Sequence, residues 1–179
     1  MKLFSIQSTS EISEDSSMNA LHRIAAEQSS RELGLVLSDL VVRNVNFHAS
    51  DLTDLIAIQS NFCSCDCRGM KLIGSTFTQT TLKDISFTKA FLSKATFYRC
   101  SLIKIDFRAA NLIRSEFTDV IFSDVTFAGA DLNGASFENC DLRGQDLGEA
   151  NLDGTQFFGC LLDDSVKMMV GAIVRESLS

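Results

Sequence analysis

The sequence has 179 residues, a formal net charge of −7 and 45% hydrophobic residues, with fourteen Phe, six Cys and no Pro. This length fits one domain with small appendages, and the negative charge disfavours direct binding to nucleic acid or to an anionic membrane. No apolar run reaches the roughly 18 residues that a transmembrane helix needs, and the first residues lack the hydrophobic region of a secretory signal. We therefore expect a cytoplasmic protein.

Residues 1–34 are predicted to form a mobile N-terminus followed by a capping helix. Residues 1–16 are rich in Ser and Glu and have no regular apolar pattern, which is typical of a mobile terminus. Over residues 17–32 the apolar side chains follow helical spacing, at Met18, Leu21, Ile24 and Ala25. Gly34 follows as a stop signal. We expect this helix to cover the open end of the region that comes next.

Residues 35–164 contain a repeat with a period of five. Taking every fifth residue from Phe47 to Leu162 gives 24 positions, and 22 of them are Leu or Phe. The residue two before each of these centres is mostly small, and the residue one before is often Asp or Asn, as in "SDLTD", "ADLNG" and "ANLDG". Two inward positions separated by one outward position indicate a short extended segment. Since no pentad can bury its own apolar side chain alone, stacked coils are predicted.

The centres also sort into columns with a period of 20. One column holds only Leu, at Leu52, Leu72, Leu92, Leu112, Leu132 and Leu152. The column ten residues out of phase is Ala57, Phe77, Phe97, Phe117, Phe137 and Phe157. Such uniform columns indicate that residues 20 apart lie one above another, with four pentads in each coil. Gln145 occupies one of the small inward positions, and we expect its amide to hydrogen-bond a corner backbone group.

This repeat resembles the pentapeptide-repeat family, and the resemblance covers residues 35–164. It implies an all-β fold, a right-handed quadrilateral β-solenoid of about 6.5 coils. To this the sequence adds short N- and C-terminal α-helices. Members of the family present a rigid surface to other proteins, so the resemblance also implies an interaction module rather than an enzyme.

The tail, residues 165–179, breaks the period of five. Helical spacing over residues 165–177 predicts a second helix with an apolar stripe at Val166, Met169, Val170 and Ile173. Two roles are open for this helix: it closes the end of the solenoid, or it forms a homodimer contact, as such helices often do in the family.

The sequence offers no catalytic constellation and no cofactor or metal site. In "CSCDC", the register places Cys65 and Cys67 inward and Cys63 outward, so these three thiols cannot converge on zinc. Cys100, Cys140 and Cys160 also fall on small inward positions, where free thiols act as small apolar residues. The two histidines, His22 and His48, lie in unrelated places. We expect a protein that is not an enzyme.

Charge is distributed unevenly along the repeat. Residues 83–114, here called the basic girdle, hold seven Lys or Arg against two Asp, a net charge of +5. Residues 116–164, here called the acidic end, hold eleven acids against Arg143, a net charge of −10. The candidate partner-binding residues are Asp124, Asp131, Glu138, Asp141, Asp146, Glu149 and Asp153.

Three functions are compatible with these features. The first is a non-catalytic interaction solenoid that presents its acidic end to a protein partner. The second, implied by the family resemblance, is a DNA mimic that binds and protects a type II topoisomerase such as gyrase. The third is a bacterial effector delivered into host cells, which rests only on the Ser-rich N-terminus.

Overall fold

A computed structural model of the chain describes residues 5–7, 11–12, 35–170 and 174–175. Between residues 35 and 164 the chain is a parallel β-solenoid of about six turns, as the period of 20 predicts. We number the coils from residue 35 in steps of 20, so that coil 1 is residues 35–54 and coil 6 is residues 135–154. A half coil, residues 155–164, completes the solenoid.

Each coil has four faces, numbered along the chain and defined by their centres: face 1 is the column of Phe97, face 2 of Leu102, face 3 of Phe107 and face 4 of Leu112. Face 1 is a nine-stranded parallel sheet. Its strands are β1 (Ser5–Gln7), β3 (Val36–Ser38), β5 (Ile56–Ile58), β7 (Thr76–Thr78), β9 (Thr96–Tyr98), β11 (Glu116–Thr118), β13 (Ser136–Glu138), β14 (Gln156–Phe158) and β15 (Val174–Arg175).

Face 2 is a six-stranded parallel sheet. Its strands are β2 (Glu11–Ile12), β4 (Val41–Arg43), β6 (Asn61–Cys63), β8 (Thr81–Ser86), β10 (Ser101–Asp106) and β12 (Ile121–Ser123). On faces 3 and 4 the coils pair mainly through parallel bridges between residues 20 apart, such as Asn111 with Asp131. Backbone N–H and C=O groups are thus satisfied by the coil above and the coil below.

The core consists of stacked columns of Phe and Leu. On face 1, the rings of Phe77, Phe97, Phe117, Phe137 and Phe157 stack in parallel with centroids 4.7–5.2 Å apart. A second stack on the opposite face 3 joins Phe87, Phe107 and Phe127 at 5.1–5.3 Å. The two stacks meet edge to face, for example Phe117 with Phe127 at 6.1 Å and 87°. The predicted continuous, buried stack through Phe97, Phe117 and Phe137 is therefore confirmed.

Polar residues at the small inward positions bond the backbone. The Thr155 hydroxyl donates to the Leu132 carbonyl at 2.9 Å. The Gln145 side chain accepts a hydrogen bond from the Val125 N–H at 2.9 Å and donates one to the Arg143 carbonyl at 3.2 Å. This confirms the expected role of the Gln145 amide, since an unsatisfied amide here would cost about 1–3 kcal/mol.

The solenoid sheets extend further toward the N-terminus than the sequence predicts. β1 pairs with β3 and β2 pairs with β4, which places Ile6 beside Leu37 and Ile12 beside Val42. Residues 5–7 and 11–12 thus form strands, although they fall in the segment that the sequence predicts to be mobile. The interval from Ile6 to Leu37 is not a multiple of five, so the repeat pattern does not reveal these strands. The helix predicted over residues 17–32 lies outside the described residues.

The C-terminal helix is shorter than predicted. Helix α1 spans Asp164–Val170, whereas the sequence predicts residues 165–177. Val174 and Arg175 form β15, which pairs with Phe157 and Phe158 at the end of face 1. The unpaired backbone of β14 explains this outcome, because an open sheet edge favours another strand over further helix. No helix among the described residues is long and apolar enough to span a membrane.

Candidate functional site

The outward side chains of the solenoid are held at fixed positions by the corners of the coils. From Asp39 to Gly159, every fifth residue has a φ of 48–72°, and eighteen of these twenty-five corner residues are not Gly. A left-handed conformation at each corner turns the chain and directs its side chain outward. The surface is therefore a rigid lattice with a rise of about 4.8 Å per coil.

Corners carry most of the charge of the basic girdle. Five of its seven corner residues are cations, namely Lys89, Lys94, Arg99, Lys104 and Arg114. Two of them have ion pairs, Arg99 with Asp119 at 3.5 Å and Lys104 with Asp84 at 4.0 Å. Lys89, Lys94 and Arg114 have no ion-pair partner within the described part of the chain. These three side chains are exposed and remain available to a partner.

Three of the seven candidate acids already have bonding partners. Arg143 binds Asp141 through two hydrogen bonds of 2.9 and 2.7 Å, and this contact lowers the pKa of Asp141 to about 2. Asp131 accepts hydrogen bonds from the Asn133 N–H at 3.1 Å and from the Asn151 amide at 3.0 Å. Asp146 accepts bonds from the Thr126 hydroxyl and the Gly148 N–H, both at 2.9 Å. These contacts brace corners and neighbouring coils.

The other four candidate acids are exposed, and their carboxylates have no hydrogen bond or ion pair within residues 35–170. They are Asp124, Glu138, Glu149 and Asp153. Asp124 lies on the corner between faces 2 and 3, Glu138 on face 1, Glu149 on the corner between faces 3 and 4, and Asp153 on face 4. Because the protein itself does not use these charges, they are the strongest candidates for contact with a partner.

The acids do not form a continuous row along the rod. On face 3 the outward column reads Asp66, Ser86, Asp106, Thr126 and Asp146, so carboxylates recur only on alternate coils. Arg68 and Arg108 neutralise the first two, at 2.6 and 2.7 Å. The structure thus spreads the negative charge around all four faces of the acidic end.

A broad depression lies on face 3 between Arg68 and Arg108, with a volume of about 640 Å³. Ser86 and Thr88 form its floor, and Thr88 donates a hydrogen bond to Asp106 at 3.1 Å. Hydrogen bonds from the two Arg side chains lower the pKa of Asp66 and of Asp106. These two carboxylates are therefore poorly suited to act as a general base.

The cysteines occupy the inward positions that the repeat assigns to them. Cys65 and Cys67 are buried, and Cys63 is half-buried. Burial raises the pKa of Cys65 and of Cys67, and it raises the pKa of Cys100 to about 11, which keeps these thiols protonated and unreactive. Within residues 35–170 no group of three or more His, Cys, Asp or Glu side chains could hold a metal ion.

The proposed dimer contact at the C-terminal helix is described only in part. Val166 is 6% exposed and belongs to the hydrophobic core of the chain itself, so this side chain closes the end of the solenoid. The side chains of Met169 and Val170, together with Ile173, lie outside the described residues. Dimerisation through this helix stays a prediction.

The comparison with protein families gives the class of this solenoid. The model described as "Pentapeptide repeat region" matches residues 60–137 and 90–166, which together are more than half of the chain. The chain therefore belongs to the pentapeptide-repeat family, as the sequence predicts. No curated protein matches it.

Several solved structures are similar to this chain. QnrB1, a plasmid-mediated fluoroquinolone resistance protein, is 20% identical over 79% of this chain and 90% of its own, with a TM-score of 0.43. Rfr23 from the cyanobacterium Cyanothece 51142 is 19% identical over 82% of this chain and 99% of its own, also with a TM-score of 0.43. A pentapeptide repeat protein from the Arabidopsis thaliana thylakoid lumen is 24% identical over 65% of this chain and 79% of its own, with a TM-score of 0.43. At these identities the likeness concerns the fold alone.

Sequence reasoning identified the acidic end but not the division of its acids into paired and unpaired ones. One signal was present in the sequence: Arg143 stands two residues after Asp141 on the same face, as Arg68 and Arg108 stand after Asp66 and Asp106. Adjacent outward positions on one segment bring such a pair into contact. The Asn151 bond of Asp131 and the Thr126 bond of Asp146 cross between coils and depend on the stacking register.

Proposed function

We propose that this protein is a non-catalytic interaction module whose acidic end binds a basic surface on a protein partner. The observation that supports this most strongly is the set of four exposed carboxylates without internal partners in residues 35–170, Asp124, Glu138, Glu149 and Asp153. Unpaired acids on a rigid lattice attract a basic surface without a loss of conformational freedom in the backbone. Membership of the pentapeptide-repeat family is consistent with this role.

Mimicry of duplex DNA is the finer hypothesis that the family resemblance implies. A mimic of the phosphate backbone would present rows of negative charge, because duplex DNA carries one charge about every 1.7 Å of axis. Here the outward column of face 3 has carboxylates on alternate coils, and two of them are neutralised by Arg. We therefore favour a general basic partner, and we treat a topoisomerase as one specific candidate to be tested.

The experiment compares co-purification from cell extract by three tagged proteins, at low and at moderate salt. The first is the parent, the second carries Asp124→Asn and Glu138→Gln, and the third carries Lys83→Gln as a control for loss of an exposed charge. A genuine partner should be captured less by the double variant and less at moderate salt, because the attraction is screened. Its capture by the Lys83→Gln control should equal that by the parent.

Purified gyrase subunits, with and without duplex DNA as competitor, then test the finer hypothesis. Binding that duplex DNA displaces would support mimicry, and binding that DNA leaves unchanged would support a general protein contact. Capture that is indifferent both to salt and to the double substitution would overturn the proposal as a whole, because the acids would then have no part in recognition.

A further inference from the structure

Face 4 carries opposite charges on its two halves. On coils 3 and 4 its corners hold Lys89, Lys94 and Arg114, which are exposed and have no ion pair within residues 35–170. On coil 6 the same face is bordered by Glu149 and carries Asp153, both exposed and also without partners in that range. One face therefore has an unpaired basic half and an unpaired acidic half.

The same face also exposes apolar side chains and has space opposite them. Phe91 is 44% exposed on coil 3 and Ile73 is 37% exposed on coil 2. On the acidic half, the corners are mostly glycines, at Gly129, Gly134 and Gly154. Because glycine has no side chain, this half is flat and leaves room for the long cations of a partner.

We propose that a second copy of this chain binds face 4 in an antiparallel, side-by-side arrangement. A twofold axis parallel to the strands, at the height between coils 4 and 5, places coil 3 of one copy opposite coil 6 of the other. The basic half of each copy then meets the acidic half of its partner, and each contact occurs twice. Neither an end-to-end contact nor a parallel side-by-side pair would match these charges.

The geometry of this axis gives specific pairs. Rotation about an axis along the strands keeps each corner column opposite the same column of the other copy. Lys89 on coil 3 therefore faces the equivalent of Glu149 on coil 6, since both lie on the corner between faces 3 and 4. On the other corner, Lys94 lies opposite Gly154 and next to Asp153. Lys89 with Glu149 is the pair that the arrangement defines most sharply.

The contact is small, which sets its expected strength. Four coils measure about 19 Å along the rod at about 4.8 Å per coil, so the interface falls well below the usual size of about 800 Å² per partner. With charge pairs as its main attraction, it should be weak and should weaken further with salt. This inference goes beyond the proposed function and does not depend on it, because Asp124 and Glu138, which test that function, lie off face 4.

Sedimentation equilibrium of the full chain at low salt, over a range of protein concentrations, is the direct test. The parent should dimerise, and Lys89→Glu should raise the dimer Kd roughly tenfold, because two attractive pairs become repulsive. Adding Glu149→Lys to Lys89→Glu exchanges the two charges and should restore the parent Kd. Lys83→Glu, which changes an exposed cation on face 2, should leave the Kd unchanged.

Small-angle scattering distinguishes this dimer from one formed through the C-terminal helix. A side-by-side dimer keeps a maximum dimension close to that of the monomer, whereas an end-to-end dimer nearly doubles it. A monomer at all concentrations in low salt would overturn the proposal. So would a dimer of doubled length, or one whose Kd the Lys89→Glu substitution does not change.

Discussion

The basic girdle and the acidic end have the same core and opposite surfaces. The column of Phe97, Phe117 and Phe137 passes through both regions without a change in stacking, with centroids 4.9 and 4.7 Å apart. Their outward positions carry net charges of +5 and −10. Two residues of each pentad point inward and three point outward, so the repeat separates the positions that determine the fold from those that determine recognition.

This separation has a simple physical cause. An inward side chain contacts the coils above and below, and a change in its volume or polarity disturbs both of them. An outward side chain contacts mainly water, and an exposed ion pair contributes roughly 0–1 kcal/mol. Surface charge can thus be reversed from one coil to the next with little effect on stability. Substitutions in matched columns test how complete the separation is.

The largest effect is expected from a charge on the axis. Leu112 in the basic girdle and Leu132 in the acidic end belong to the same column, and each is 0% exposed. Leu112→Asp and Leu132→Asp each place a carboxylate among apolar side chains. We expect each to cost at least about 5 kcal/mol, which is comparable with the whole stability of many domains. Circular dichroism should show loss of β structure in both.

Ile113→Asp is the matched control, because Ile113 is adjacent to Leu112 but points outward and is half-buried. It should fold and melt close to the parent. A folded Leu112→Asp variant would contradict the separation of inward and outward positions, and so would an Ile113→Asp variant that does not fold.

An intermediate effect is expected from the Phe stack. Phe97→Ala in the basic girdle and Phe137→Ala in the acidic end each remove one ring from a column of five, and both rings are 0% exposed. Each should cost about 3–5 kcal/mol, as is usual for deletion of a buried aromatic ring. The two losses should agree if the core is the same in both regions. Denaturant unfolding measures them, with Phe91→Ala as a control at an exposed position.

A large difference between the two losses would show that the surface charge of a region affects its core. Phe91→Ala should cost less than about 1 kcal/mol, since much of that ring is already in water. A loss as large as that of Phe97→Ala would mean that face 4 is covered in solution.

The sequence was sufficient to predict the coils but not their ends. A period of five with columns at 20 follows from stacking alone, so it identified the core from Leu35 to Leu162 and even the hydrogen-bonding role of Gln145. β1 and β15 were missed because each joins the sheet after an insertion that shifts the register. Ile6 pairs with Leu37 and Val174 pairs with Phe157, and neither interval is a multiple of five.

For the candidate site, the sequence indicated the region but not the state of each charge. Whether a carboxylate is free depends on side chains one coil away. Asp131 bonds Asn151 across coils, whereas Asp153 has no such neighbour within residues 35–170. A donor must stand at the right position 20 residues along, and it must also adopt the right rotamer, which only the folded structure defines.

The smallest effect concerns two serines in one inward column. The Ser75 hydroxyl donates to the Leu52 carbonyl at 3.2 Å, whereas the Ser115 hydroxyl is buried without a hydrogen-bond partner in the described structure. Ser75→Ala should therefore cost about 0.5–1.5 kcal/mol, while Ser115→Ala should be neutral or stabilise by up to about 1 kcal/mol, because it removes an unsatisfied buried group. Thermal and denaturant unfolding of the two variants measure the difference.

The column itself shows that alanine is accommodated at this position. Ala95 and Ala135 lie below and above Ser115 in the same column and are also 0% exposed, so the Ser115→Ala side chain fits without a clash. The two substitutions therefore differ only in the hydrogen bond that Ser75 loses. Equal losses would mean that the Ser115 hydroxyl also bonds a carbonyl of the coil below, and that the column is uniform from coil 3 to coil 5.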